Sequence, residues 1–156
     1  MSESTKTFSR VRRASRRSLG RLVRASAVGT VQSTTALAPI DHQRAVLAAM
    51  TQLGVPYRTN TSKEGVGFDC SGLTTYAWSR AGVALTRQSS AQIREAAPLD
   101  RASARAGDLV QYPGHVMMYL GVGDAIIHSV QRGRTVELDV SNARRANSVR
   151  FGDPAN

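Results

Sequence analysis

Two periodicities divide the chain. Between Asp41 and Ala97 the apolar residues recur at helical spacing. Beyond Asp108 they form short β-branched or aromatic runs separated by turn residues. Val46, Leu47, Met50 and Leu53 stand at i, i+1, i+4 and i+7, which predicts a helix from an Asp41 N-cap to Leu53, closed by Gly54. Gly54-Val-Pro-Tyr57 turns the chain, and 58–67 reads as a loop rich in Thr, Ser, Asn and Gly. A second helix is predicted from Asp69 or Cys70, burying Leu73, Tyr76, Ala77 and Trp78 and stopping at Gly82. A third runs from Ser89 or Ser90 to Ala97, where Pro98 ends it. Strands are predicted over 108–112, 115–120, 125–130, 134–140 and 147–151. Helices first and strands afterwards give an α+β fold, with N-terminal helices packed on one antiparallel sheet of about five strands.

Composition places this body in one domain of 41–156. The preceding 1–40 lack apolar periodicity and are rich in Ser, Thr, Arg and Ala. The net charge of +10 is concentrated there: residues 1–38 carry +7 and the remaining 118 residues only +3. Three readings of this arm stay open. It is a disordered tether, or an export segment, because Ser15-Arg16-Arg17-Ser18-Leu19-Gly20-Arg21 has twin-arginine character and Ala36-Leu37-Ala38 has the small-x-small form of a cleavage site. The third is a phosphate-binding arm. No aromatic residue interleaves the arginines of 10–24 and the body is near neutral, so nucleic acid is at best an accessory partner. No run approaches 18 apolar residues, so no transmembrane helix is expected.

Cys70 is the only cysteine, which excludes an intrachain disulfide and any multi-cysteine metal site. A lone cysteine is ordinarily a small buried apolar residue. Cys70, however, stands in Gly67-Phe-Asp-Cys-Ser-Gly-Leu73 at a predicted helix start, where partial positive charge and unpaired N–H groups favour a thiolate. If Gly121 and Asp124 close the hairpin, facing residue numbers sum to 245. His128 then faces Met117 and shares a face with His115, the imidazoles lying roughly 5–8 Å apart. A nucleophile, a base and a group that orients the base is the logic of cysteine hydrolases: Cys70, His115 and His128 respectively. Zinc on the same three side chains is the competing reading. Neither CxxC nor HxxxH occurs, so no metal or cofactor is expected. His42, at the start of the first helix, reads as a solvated surface residue.

Six blocks in order make the chain resemble the NlpC/P60 family of cell-wall cysteine peptidases, a branch of the papain-like fold. They are Gly54-Val-Pro-Tyr57, Gly67–Leu73, Leu85-Thr-Arg-Gln-Ser-Ser-Ala-Gln92, Gly107-Asp-Leu-Val110, His115-Val-Met-Met-Tyr-Leu-Gly121 and Ile127-His-Ser129. The resemblance implies Cys70 as nucleophile, His115 as base and His128 as the third polar residue. It implies that Tyr57 lies beside the thiol and helps the Cys70 N–H hold the oxyanion. It also implies that Asp69 and Ser71 meet the substrate's free amine or stem-peptide backbone. The implied activity is hydrolysis of peptidoglycan stem peptides between D-γ-glutamate and the diamino acid, by a monomer that is secreted or in the cell envelope, with cytoplasmic recycling open. A module that binds wall peptide without cutting it is the alternative. Two departures stand out. Arg58-Thr59-Asn60 replaces the family's frequent Trp-Gly-Gly, and the His115–His128 spacing is one residue longer than usual.

Overall fold

The computed structural model describes residues 29–141 and 148–156. The arginine-rich stretch, its twin-arginine-like motif and Asn147 lie outside these. The chain divides into two units, Met1–Ser33 and Thr34–Asn156. Residues 29–36 are helical (α1), within the stretch where the sequence predicts no helix.

Among the described residues, three further helices precede the main sheet: α2 (Ile40–Met50), α3 (Cys70–Arg80) and α4 (Ser89–Glu95). A short ribbon of β1 (Ser62–Lys63) and β2 (Gly67–Phe68) leads into α3. The main sheet is antiparallel and has six strands: β3 (Ala97–Leu99), β4 (Leu109–Tyr112), β5 (His115–Tyr119), β6 (Ala125–Ser129), β7 (Val136–Val140) and β8 (Arg150–Asp153). Their spatial order is β3-β8-β4-β5-β6-β7. The strand beyond the expected five is β3. Pro98 does end the helix before it, and then occupies an edge strand, where a missing N–H removes no central ladder bond.

α3 packs on β5 and β6, α4 packs on β4, β5 and β8, and α2 lies against α3. Leu73, Ala77 and Trp78 of α3 are buried as predicted, while Tyr76 is only half-buried. Burying a side chain such as Leu73 contributes roughly 1.5–3 kcal/mol of transfer free energy. A second cluster, Val110, Tyr112, Met117, Tyr119 and Ile126, closes against Ala104, Val149 and Phe151. Among the described residues, no helix is long and apolar enough to cross a membrane.

α2 departs from its predicted face. Its buried positions are His42, Ala45, Val46 and Ala49, whereas Leu47 is 60% exposed and Leu53 is 41% exposed. Two alanines let the helix approach α3 closely, and His42 turns inward because carboxylates await it there. The N-cap is Pro39 and not Asp41. The Asp41 carboxylate instead accepts from the His42 backbone N–H and pairs with its ring.

Candidate active site

Cys70 is the first residue of α3 and is half-buried. Asp69 is the N-cap, its Oδ1 accepting from Gly72 N–H at 2.8 Å. A Cβ on Gly72 would meet the Thr61 carbonyl oxygen at 2.0 Å, so this turn admits only glycine. Asp69 Oδ2 accepts from Asn60 N–H at 2.7 Å. The departing segment is thereby folded back on the ribbon, with Arg58 N–H donating to Phe68 C=O and Arg58 Nε to Val66 C=O. Tyr57 forms an isolated bridge with Phe68, two residues before the thiol.

Arg87, within Leu85–Gln92, is a functional side chain that the sequence pattern did not single out. Its Nη2 lies 2.7 Å from Asp69 Oδ1, and its Nη1 donates to Ser71 Oγ at 2.7 Å. One guanidinium therefore clasps the residues on both sides of Cys70. Buried Gln92 holds the clasp in place, donating to Ser71 C=O and to Thr86 C=O. A cleft of about 610 Å³ opens here, lined by Asn60, Asp69, Ser71, Thr86, Arg87 and Gln88 among others.

The hairpin register is the expected one. Met118 faces Ile127 and Tyr119 faces Ile126, and Leu120 N–H donates to Ala125 C=O. The longer turn is absorbed at Gly121 and Gly123, both at positive φ. His115 and His128 consequently meet, with Nε2 of His115 3.0 Å from Nδ1 of His128. Ser129 Oγ donates to Phe68 C=O at 2.7 Å, tying the residue after His128 to the ribbon that delivers Cys70. A second cavity of about 440 Å³ is lined by His115, His128 and Asp139 among others.

Behind His128 stand two further side chains that the sequence reading passed over, Glu137 and Asp139. His128 faces Glu137 across the β6–β7 ladder. Its buried Nε2 makes no hydrogen bond among the described residues and lies 3.6 Å from Glu137 Oε1 and from Asp139 Oδ2. Arg134 pairs with Glu137. Acidic residues two apart on a strand beside the histidine strand were the available signal. Burial pushes the His128 imidazole down to about 4, with Asp139 opposing and Arg134 assisting. His128 is thus neutral at pH 7. With its proton on Nε2, toward the carboxylates, Nδ1 is an acceptor for His115.

The surface expectation for His42 is overturned. It is 1% exposed, with Nε2 2.9 Å from Asp108 Oδ1 and 3.3 Å from Asp153 Oδ1, and Nδ1 3.0 Å from Asp41 Oδ1. Burial disfavours the imidazolium, but the carboxylates of Asp108, Asp41 and Asp153 outweigh it and raise the pKa. A Cβ at Gly107 would lie 3.0 Å from the His42 side chain, so the Gly107-Asp108 block is what admits the ring.

The sequence profile of the NlpC/P60 family matches residues 54–150. Peptidoglycan endopeptidase RipB of Mycobacterium tuberculosis is 35% identical over 119 residues, covering 66% of this chain and 48% of that protein. Murein DD-endopeptidase MepH of Escherichia coli is 34% identical over 99 residues, covering 57% and 36%. This chain thus spans about half or less of these curated relatives. Among solved structures, an NlpC/P60 family protein from Bacillus cereus superposes with a TM-score of 0.66 at 27% identity, covering 74% of this chain and 40% of that one. The RipB structure gives 0.63 at 26% identity, covering 76% and 69%. The chain belongs to the NlpC/P60 family.

Proposed function

We propose that this domain is a thiol endopeptidase that cuts bacterial wall stem peptides between D-γ-glutamate and the diamino acid. The observation that carries the reading is the 3.0 Å contact between His115 and His128, on strands packed against the helix that begins at Cys70. His115 has Nε2 committed to His128, so Nδ1 is the nitrogen assigned to the thiol. Neutral His128, accepting at Nδ1 from His115 Nε2, leaves His115 Nδ1 to take the thiol proton.

The thiolate attacks the γ-carbonyl carbon, and the oxyanion is held by Cys70 N–H with the Tyr57 hydroxyl assisting. His115 passes its Nδ1 proton to the leaving amine as the C–N bond breaks, leaving a thioester on Cys70. Water, deprotonated by His115, then hydrolyses the thioester and restores the thiol. Glu137 and Asp139 are positioning residues that fix the His128 tautomer. The names of RipB and MepH support wall peptide as the substrate and action at the cell envelope. The basic stretch 1–38 is proposed as a tether or export segment, with the catalytic domain beginning at 41.

Digestion of stem peptides followed by mass spectrometry tests the reading. The wild type should release the L-Ala–D-Glu fragment, and Cys70→Ala should release none while melting at the same temperature. Cutting by the variant, or cutting only at a bond between two D-residues, contradicts it.

A further inference from the structure

Behind His128, a buried ring nitrogen and two carboxylate oxygens converge at a spacing that hydrogen bonding does not explain. His128 is 6% exposed, and its Nε2 makes no hydrogen bond among the described residues. It lies 3.6 Å from Glu137 Oε1 and from Asp139 Oδ2, and the three atoms are all within 4.8 Å of one another. An N–H···O hydrogen bond spans about 2.7–3.2 Å. Two bonds of about 2.1 Å that meet at a tetrahedral metal hold their outer atoms about 3.4 Å apart. The observed separation fits the second geometry better than the first. The donor set fits as well, since imidazole and carboxylate are both zinc ligands, and three protein ligands leave a fourth position for water. That position has a route to solvent, because His128 and Asp139 line the cavity of about 440 Å³ and the Asp139 side chain is 43% exposed.

The group of His42, Asp108 and Asp153 lacks these features. There Nε2 is hydrogen-bonded to Asp108 Oδ1 at 2.9 Å, while Asp108 Oδ2 accepts from Arg105 N–H and Asp153 Oδ2 from Arg105 Nη2. Beside His128, the backbone engages Asp139 only at Oδ1, which accepts from Val140 N–H and leaves Oδ2 to the ring. Arg134 pairs with Glu137 and competes with any cation there, but its half-exposed side chain can turn aside.

We propose that His128 Nε2, Glu137 and Asp139 form a binding site for a divalent transition-metal ion of the zinc class, and that the bound ion switches the thiol off. The switch rests on the Cys70–His115–His128 reading above, whereas the metal site does not. Without the ion, His128 accepts at Nδ1 from His115 Nε2. Zinc takes the Nε2 lone pair of His128, so the proton of that ring moves to Nδ1, which lies 3.0 Å from His115 Nε2. His115 Nε2 must then accept, and the proton it carried moves to its own Nδ1. No proton is gained or lost. The nitrogen assigned to the thiol, however, no longer has a lone pair to receive the Cys70 proton. This ligand set differs from the zinc reading of the sequence, because Cys70 and His115 take no part in it.

Calorimetry on the full chain carrying Cys70→Ala tests the site without the thiol, with zinc chloride as the probe. One zinc should bind per chain. Adding Asp139→Asn should weaken binding roughly tenfold or more, since even an outer-shell partner contributes that much. Adding Arg134→Gln should tighten it. The switch is read with Cys70 intact, as alkylation by iodoacetamide at pH 7. Zinc should slow alkylation, a chelator should restore it, and Asp139→Asn should need roughly tenfold more zinc for the same slowing. No saturable binding in Cys70→Ala, or equal affinity with and without Asp139→Asn, would overturn the site. Slowing at the same zinc concentration in the wild type and Asp139→Asn would put the ion on the sulfur and overturn the switch, as would binding with no change in alkylation. Failure to cut wall peptide would leave the calorimetric result standing, so the two readings fail separately.

Discussion

Two groups of histidine and carboxylate occupy the same domain and behave oppositely. Around His42, carboxylate oxygens lie at 2.9, 3.0 and 3.3 Å, and the pKa of the ring is raised despite near-complete burial. Around His128, carboxylates stand back at 3.6 Å, and burial wins, leaving the ring neutral with a pKa of about 4. Less than 1 Å separates a hydrogen bond from a mere Coulombic neighbour, and in a buried site that gap decides the sign of the pKa shift. The first group joins α2, the start of β4 and the end of β8, and is a lock. The second keeps an acceptor nitrogen for His115 beside an open cavity, and is the proposed machinery.

Substitutions should separate the two groups. His115→Ala should lower kcat/KM by about 10²–10⁴-fold, the usual worth of a positioned acid–base group, with an unchanged melting temperature. His42→Ala should do the reverse. It removes the ring that buried Asp108 and Asp153 share, leaving Asp153 with Arg105 alone as a cationic partner, and should cost about 3–5 kcal/mol in a denaturant titration. The folded fraction should retain its kcat. If His42→Ala instead removed turnover without loss of stability, the division into lock and machinery would be wrong.

Opposite pH slopes sharpen the comparison. His42 has a raised folded pKa, so its contribution is full below the unfolded value of about 6.5 and fades as pH rises through the folded one. His128 has a depressed folded pKa, so stability is lost as pH falls from about 6.5 toward about 4. Denaturation curves at stepped pH should show the alkaline loss disappear in His42→Gln and the acid loss shrink in His128→Gln. The smallest effect belongs to Glu137→Gln. Its pair with Arg134 is partly exposed, so stability should change by about 1 kcal/mol or less. The fall in kcat/KM should be smaller than that of His128→Ala.

The order of helices and strands was legible because hydrophobic period and turn residues are local properties. The hairpin register was legible as well, since Gly121–Asp124 fixes the sum that brings His128 beside His115. His42 was not legible. Its environment comes from Asp108 and Asp153, 66 and 111 residues away in sequence, and a helical wheel carries no trace of them. Leu47 drew the predicted stripe one position round the helix, yet the true face is set by which small residues let α3 approach. Arg87 lay in plain sight within a motif. Its role appears only once Asp69 and Ser71 are seen on either side of one guanidinium.

The proposed coupling of sulfur to imidazole can be tested without any substrate. Iodoacetamide should alkylate Cys70 at pH 7 at least tenfold faster in the wild type than in His115→Ala, with His42→Gln close to the wild type. Equal rates in the wild type and His115→Ala would mean that the histidine pair does not activate the thiol, and the account of this site would fail.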